Sequence, residues 1–172
     1  MITVSAPAKV HLIGEHAVVY GHPAIIAAVG RRIYIEADKS GVIALKDARW
    51  NSKRAWSVHE AYEASHKAQS LWKECAEKKD FTELLFWSKT GSSYDNYWKA
   101  MIGTVLRLTD ASSGISLHIT KSEIPTGSGL GSSSATAVAV VKAISDVYGK
   151  SLSTERLNEI AYECEKLVHG TP

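Results

Sequence analysis

An α+β fold is the class this sequence predicts, and three observations carry it. Residues 1–45 are β-rich, with short alternating apolar runs broken by glycine and proline. The middle of the chain carries helical stripes of apolar residues. An alternating run then enters a glycine-rich loop, and two more helical stripes close the chain.

The bulk properties bound the answer. The 172 residues are 45% apolar with a formal net charge of +2. That is enough for one domain with a core, or one domain and part of another. Charge of this size gives no pointer to nucleic acid or a membrane surface. Cys75 and Cys164 show neither metal spacing nor a disulfide framework. They read as buried or partly buried thiols in a reducing compartment. No leader pattern and no apolar run of membrane-spanning length occurs, so a cytoplasmic protein is expected.

The elements follow in order. Residues 2–5 are β-prone, and Lys9 to Gly14 alternates loosely, with Val10, Leu12 and Gly14 on one side. Ala17-Val18-Val19-Tyr20 reads as a second short strand, and Ala24 to Val29 is apolar again. Arg31 to Asp38 alternates, with Ile33 and Ile35 on one face. Lys39-Ser40-Gly41 looks like a turn into a returning strand, Val42 to Leu45. Val58, Ala61, Tyr62, Ser65, Ala68, Trp72, Cys75 and Ala76 then form one helical stripe, opposite a face of mixed charge. A short helix is expected near Phe81–Trp87, and Thr90 to Ser93 breaks the pattern. Tyr94, Tyr97, Trp98, Met101, Ile102 and Val105 make a third stripe. Ile115, Leu117 and Ile119 alternate with Ser116, His118 and Thr120 as a half-buried strand. The last helix is striped by Leu157, Ile160, Ala161, Cys164 and Val168, with Ser153 as its N-cap.

Between that strand and the final two helices lies Pro125-Thr126-Gly127-Ser128-Gly129-Leu130-Gly131-Ser132-Ser133-Ser134. It opens directly into an apolar run reaching Tyr148, which reads as a buried helix. Glycines let backbone N–H groups converge, and a helix's first turn offers unpaired donors at a positive dipole end. Together these make an anion site, most often for phosphate. The plainer alternative is a flexible connection with a serine cap. The loop is not a Walker A sequence, since no Lys-Ser or Lys-Thr ends it. It is not a dinucleotide fingerprint either, because the third glycine comes too early.

Near the N-terminus, Pro7-Ala8-Lys9-Val10-His11-Leu12-Ile13-Gly14-Glu15-His16-Ala17-Val18-Val19-Tyr20-Gly21 places Lys9, Glu15 and His16 near the ends of two short strands. Taken singly, these are an edge-strand lysine, a surface glutamate and a satisfied histidine. Zinc is set aside, because no metal spacing falls on a helix there.

Joined, the two motifs resemble the first two signatures of the GHMP kinases. Gly14-Glu15-His16-Ala17-Val18-Val19-Tyr20-Gly21 is most similar to the mevalonate kinase branch, and Lys53-Arg54-Ala55-Trp56 is a weaker match to it. The closing Glu165-Lys166-Leu167-Val168-His169-Gly170-Thr171-Pro172 resembles the family's E-x-x-x-H-G-x-P. The resemblance implies the family's N-terminal domain, with a left-handed βαβ unit and a ribosomal protein S5 domain 2-like fold, over residues 1–172. It implies transfer of the ATP γ-phosphoryl group to a substrate hydroxyl, that of mevalonate, with ATP and Mg²⁺ as cofactors. On that likeness, Pro125, Gly127, Ser128, Gly129, Leu130, Gly131, Ser132, Ser133 and Ser134 wrap the phosphates. Ser133 and Glu165 hold Mg²⁺. Lys9 acts on the attacking hydroxyl, and Lys9, Glu15 and His16 meet the substrate.

The partners expected are therefore a small molecule, with no nucleic acid and no membrane; a homodimer is admitted. In the family pattern a Ser-Gly and an aspartate follow His-Gly-x-Pro, and a further glycine-rich signature comes later. Neither lies within these residues, so the resemblance implies the N-terminal half of a kinase, without its C-terminal domain and inactive alone. Two readings stand beside this one: a kinase for another alcohol, phosphomevalonate or a sugar, and a non-catalytic nucleotide-binding module. Trp56 is a candidate base clamp, although tryptophan is more often core.

Overall fold

The computed structural model describes residues 1–89, 94–111 and 113–170, apart from the side chains of Val19 and Val168. The expected break at Thr90 to Ser93, and Thr171-Pro172 of the closing motif, lie outside the described residues. The strands are β1 (Ile2–Ile13), β2 (Ile25–Ser40), β3 (Ile43–Asp47), β4 (Ser52–Trp56) and β5 (Gly114–Ser122). The helices are α1 (Val58–Lys78), α2 (Thr82–Lys89), α3 (Asp95–Leu108), α4 (Ser132–Val147) and α5 (Thr154–His169). The strands form one sheet in the order β1-β2-β5-β3-β4. All neighbours are antiparallel except β3 and β5, which run parallel. The fold is α+β, as expected.

Alternation decides which sheet face is covered. Val4, Ala6 and Ala8 of β1, Ile33, Ile35 and Ala37 of β2, and Ile115, Leu117 and Ile119 of β5 are all buried. α4 lies against β1 and β2, α5 against α4 and α3, and α3 against α1. The alanines of α4 at 135, 137, 139 and 143 are buried and small, which lets this helix sit close to the sheet. No helix among the described residues is long and apolar enough to cross a membrane.

The strands of the first half differ from expectation in three ways. Residues 2–5 and 9–13 fall in one long strand, β1, which stops before Gly14 and has register irregularities at Pro7/Ala8 and between His11 and Ile13. Proline donates no ladder hydrogen bond, so it is tolerated here because β1 is an edge strand with an irregularity at that point. Residues Val18–Tyr20 form a single 3₁₀ turn and not a strand. Gly14 and Gly21, at φ 88° and 79°, bend the chain on either side. Local bonds from Val18 N–H to Gly14 C=O and from Tyr20 N–H to Ala17 C=O use the backbone groups a ladder would need. Finally, β3 does not return along β2: β5 occupies that place, between them. Gly114 makes this approach feasible, since a Cβ there would lie 2.4 Å from the Val42 carbonyl carbon. The sequence reading also gave no strand at β4.

The helices match their stripes, except that Tyr94 precedes α3 as its N-cap, exposed and in the left-handed region at φ 66°. Ser57 caps α1 and exchanges hydrogen bonds with Glu60, its side chain accepting at 3.1 Å while Glu60 accepts from Ser57 N–H at 2.7 Å. The Ser57 N–H, and then its hydroxyl, which also donates to Glu60 Oε2 at 2.8 Å, hold the Glu60 carboxyl below its ordinary value. Ser153 accepts from Arg156 N–H at 3.2 Å and caps α5, as expected. Both cysteines are buried, also as expected. α1 and α3 cross at Gly103, where the Ser65 and Thr104 hydroxyls are bonded at 2.9 Å inside the contact.

That crossing is a sharp test of the packing. A Cβ at Gly103 would lie 2.1 Å from the Ala61 carbonyl oxygen, whereas one at Gly30 meets nothing within 4 Å. Gly103→Ala should therefore destabilise by about 1–3 kcal/mol through overpacking. Gly30→Ala should cost nothing. Urea midpoints of the two variants check this, and equal midpoints would remove the close crossing.

Candidate functional site

The glycine loop joins the sheet to α4 with three residues in the left-handed region: Gly127, Gly129 and Gly131, at φ 72°, 71° and 69°. The G-x-G-x-G spacing thus has a backbone cause, because side chains other than glycine's are strained there. Ser128 Oγ donates to the Pro125 carbonyl at 2.8 Å and braces the loop from inside. Lys9 N–H donates to the Leu130 carbonyl at 3.0 Å and ties the loop to β1. Gly131 is the N-cap of α4, and no side chain caps this helix. Its first-turn N–H groups are open at the positive end of the dipole, which is an anion site by construction.

The serines that follow are engaged elsewhere. Ser134 Oγ donates to Glu165 Oε2 at 2.5 Å, and Ser133 Oγ to the same oxygen at 3.2 Å. The Ser133 hydroxyl also lies 3.2 Å from His169 Nε2. Glu165 and His169 are one turn apart on α5, and His169 Nε2 is 3.7 Å from Glu165 Oε2. Glu165 is 7% exposed, and its other oxygen, Oε1, is buried with no hydrogen-bond partner among the described residues. A buried polar atom without a partner costs free energy, so its place asks for a ligand. A carboxylate and a hydroxyl suit a hard cation such as Mg²⁺, which takes few protein ligands and completes its shell from water and phosphate. No group of three or more His, Cys, Asp or Glu able to hold a metal occurs among the described residues. These residues fit a cation held jointly with a bound phosphate, and not a closed protein cage.

Around Glu165 the packing is apolar and protonated. Burial, then the Glu165 charge, pushes the Tyr97 hydroxyl far above its ordinary value, and the same two causes raise the Cys164 thiol. Both stay protonated, so Cys164 is no nucleophile.

Lys9 reaches this site from β1. Its stem passes against Gly131, where an added Cβ would lie 2.9 Å from Lys9 Cγ. Its ammonium donates to His11 Nδ1 at 3.0 Å. His11 has no role in the sequence reading, although the two-residue period of a strand signals that i and i+2 share a face. Glu15 and His16 stand apart from this cluster: both are exposed in the turn after β1. Among the described residues no hydrogen bond or ion pair joins either to the glycine loop. They line an open cavity of about 330 Å³ with His11, Leu12, Ile13, Gly14 and Ala17. Trp56 is 9% exposed within the core, so the plainer reading of that residue stands. A second cavity, lined by Lys142, Asp146, Lys150 and their neighbours, lies at the other end of α4. A helix of 16 residues puts it about 24 Å from the loop.

Residues 96–172 match the family described as GHMP kinases N terminal domain. The chain is 38% identical over 172 residues to the mevalonate kinase of Pyrococcus furiosus, covering 98% of this chain and 46% of that protein. A solved mevalonate kinase superposes with a TM-score of 0.76 at 26% identity, covering 99% of this chain and 48% of the other. The Methanococcus jannaschii mevalonate kinase gives 0.74 at 26% identity, covering 99% and 47%. The chain thus spans about half the length of the relatives it matches.

The fit between Gly131 and Lys9 can be separated from the backbone requirement. Gly149 has nearly the same φ, 68° against 69°, but nothing lies within 4 Å of a Cβ added there. Gly149→Ala should cost about 1–2 kcal/mol, the price of a left-handed alanine. Gly131→Ala should cost more, because Lys9 must also move. Denaturant titration of both variants checks the order; equal losses would mean the Lys9 stem does not depend on Gly131.

Proposed function

We propose that this chain, whose residues 96–172 match the GHMP kinases N terminal domain, is the N-terminal ATP-binding domain of a kinase acting on mevalonate. The observation that carries the reading is the buried, partnerless Glu165 Oε1 beside an uncapped helix N-terminus and a loop of left-handed glycines. That combination suits a triphosphate with its cation and has no evident use in a connecting loop. The choice of mevalonate rests on the relatives' names and on the Glu15-His16 motif.

When bound, ATP supplies the transferred phosphoryl group, and Mg²⁺ supplies charge to neutralise it. The chain's own residues then have distinct tasks. Backbone donors from Gly127 to Ser134 orient the phosphate chain and compensate its charge. Ser133 and Glu165 hold the cation, with Ser134 and His169 fixing their orientation through the bonds already described. Lys9 stands beside the first turn of α4, where its ammonium can stabilise charge on the acceptor hydroxyl side. Glu15 and His16 offer the cavity a carboxylate and an imidazole for the polar groups of the alcohol. Positioning and charge supply most of what phosphoryl transfer requires, and these groups supply both.

The roles of Glu165 and Lys9 should be separable in the full-length enzyme. Glu165→Gln keeps shape and loses charge, and should lower kcat by roughly two orders of magnitude. Raised Mg²⁺ should partly restore it. Lys9→Met should also lower kcat, without Mg²⁺ rescue. A Mg²⁺ titration at saturating ATP and mevalonate distinguishes them. Identical profiles would sink the division of roles, and wild-type rates in Glu165→Gln would sink the metal assignment.

A further inference from the structure

We propose that His11 is the positioning residue for Lys9: its imidazole accepts from the ammonium and holds it beside the glycine loop without cancelling its charge. The inference rests on the kinase reading above and assigns a role to a residue that reading leaves out.

Lysine carries its charge on a flexible four-carbon stem, so a lysine that must act at one point needs its tip held. A carboxylate would hold it but would also offset the positive field that makes it useful. Lys9 makes no ion pair among the described residues; its side-chain hydrogen bond goes to His11 Nδ1, at 3.0 Å. The two neighbours across the ladder, Ala28 opposite Lys9 and Ile26 opposite His11, offer no side-chain polar atom as a competing partner. The stem is fixed independently, because it runs against Gly131 where a Cβ would leave only 2.9 Å to Cγ and 3.0 Å to Cε. The backbone of Lys9 is fixed as well, by its bond to the Leu130 carbonyl. Root, stem and tip of one side chain are thus each constrained, and only the tip depends on a side-chain partner.

The chemistry also settles the tautomer. An ammonium can only donate, so Nδ1 must be the bare nitrogen and Nε2 carries the proton. His11 is therefore a neutral acceptor toward Lys9 and retains one donor of its own. It lines the cavity that Glu15 and His16 also line. One ring thus joins the lysine beside the glycine loop to the cavity proposed for the alcohol.

The test compares His11→Leu, which removes the acceptor, with His11→Gln, whose amide oxygen can replace it. In the full-length kinase, His11→Leu should lower kcat about ten- to a hundredfold, the scale of a misplaced catalytic group. KM for ATP should not change, and His11→Gln should recover most of the rate. Full activity in His11→Leu, or equal losses in both variants, would overturn the proposal. A second measurement does not depend on the reaction. The Lys9 ammonium protons, followed by nuclear magnetic resonance, should exchange with water faster in His11→Leu than in wild type or His11→Gln. Equal exchange in all three would overturn the proposal even in an active kinase. Slowed exchange in a protein that phosphorylates no alcohol would keep the contact and overturn the kinase reading instead.

Discussion

The grip of two serine hydroxyls on one carboxylate oxygen organises the functional end of this domain. Ser133 and Ser134 belong to the first turn of α4, and Glu165 to the last turn but one of α5. Their bonds fix the two helices at the point where α4's N–H groups are open. The N-cap itself is Gly131, which has no side chain to close over those N–H groups. The serine contact therefore holds the carboxylate still beside an anion site that the glycine leaves open. Ordinary helix capping would stabilise α4 and remove its use.

The sheet serves that end by holding β1 against the loop. The Lys9 N–H to Leu130 C=O bond joins residues far apart in sequence, and the irregularities in β1 mark where that strand departs from regular pairing. α4 rests on β1 and β2 through small alanines, so the helix with the uncapped N–H groups and the strand that presents Lys9 share one rigid support. Placement on such elements suits chemistry that depends on position more than on covalent steps.

Much of this was legible in the sequence. The stripes of α1, α3 and α5 matched because each has a clear helical period and a buried neighbour to satisfy it. The glycine spacing was legible because three left-handed residues at alternate positions leave little choice of residue type. Glu165 was legible only through the resemblance, since nothing local marks that carboxylate as different from Glu163. What failed had nonlocal causes. Val18 to Tyr20 has the composition of a strand, yet no partner edge is open to it, and the flanking glycines close it into a turn. The pairing of β3 with β5 depends on Gly114 passing the Val42 backbone, which no window of neighbouring residues contains. The bond between the Lys9 ammonium and His11 was not legible, because nothing at position 11 itself marks it.

The parallel pairing of β3 with β5 has a kinetic consequence. A hairpin, three helices and the turn between them must be threaded before Leu45 meets Leu117. The helices can form from local contacts alone, but the central strand of the sheet arrives only after a long loop has closed. Loop closure carries an entropy cost that no local bond offsets, and topologies of this kind fold slowly for their size. The glycine loop begins three residues after that late strand. The anion site is therefore among the last features to acquire its shape as the chain folds, and the interval before it does so is set by topology and not by the chemistry of the loop.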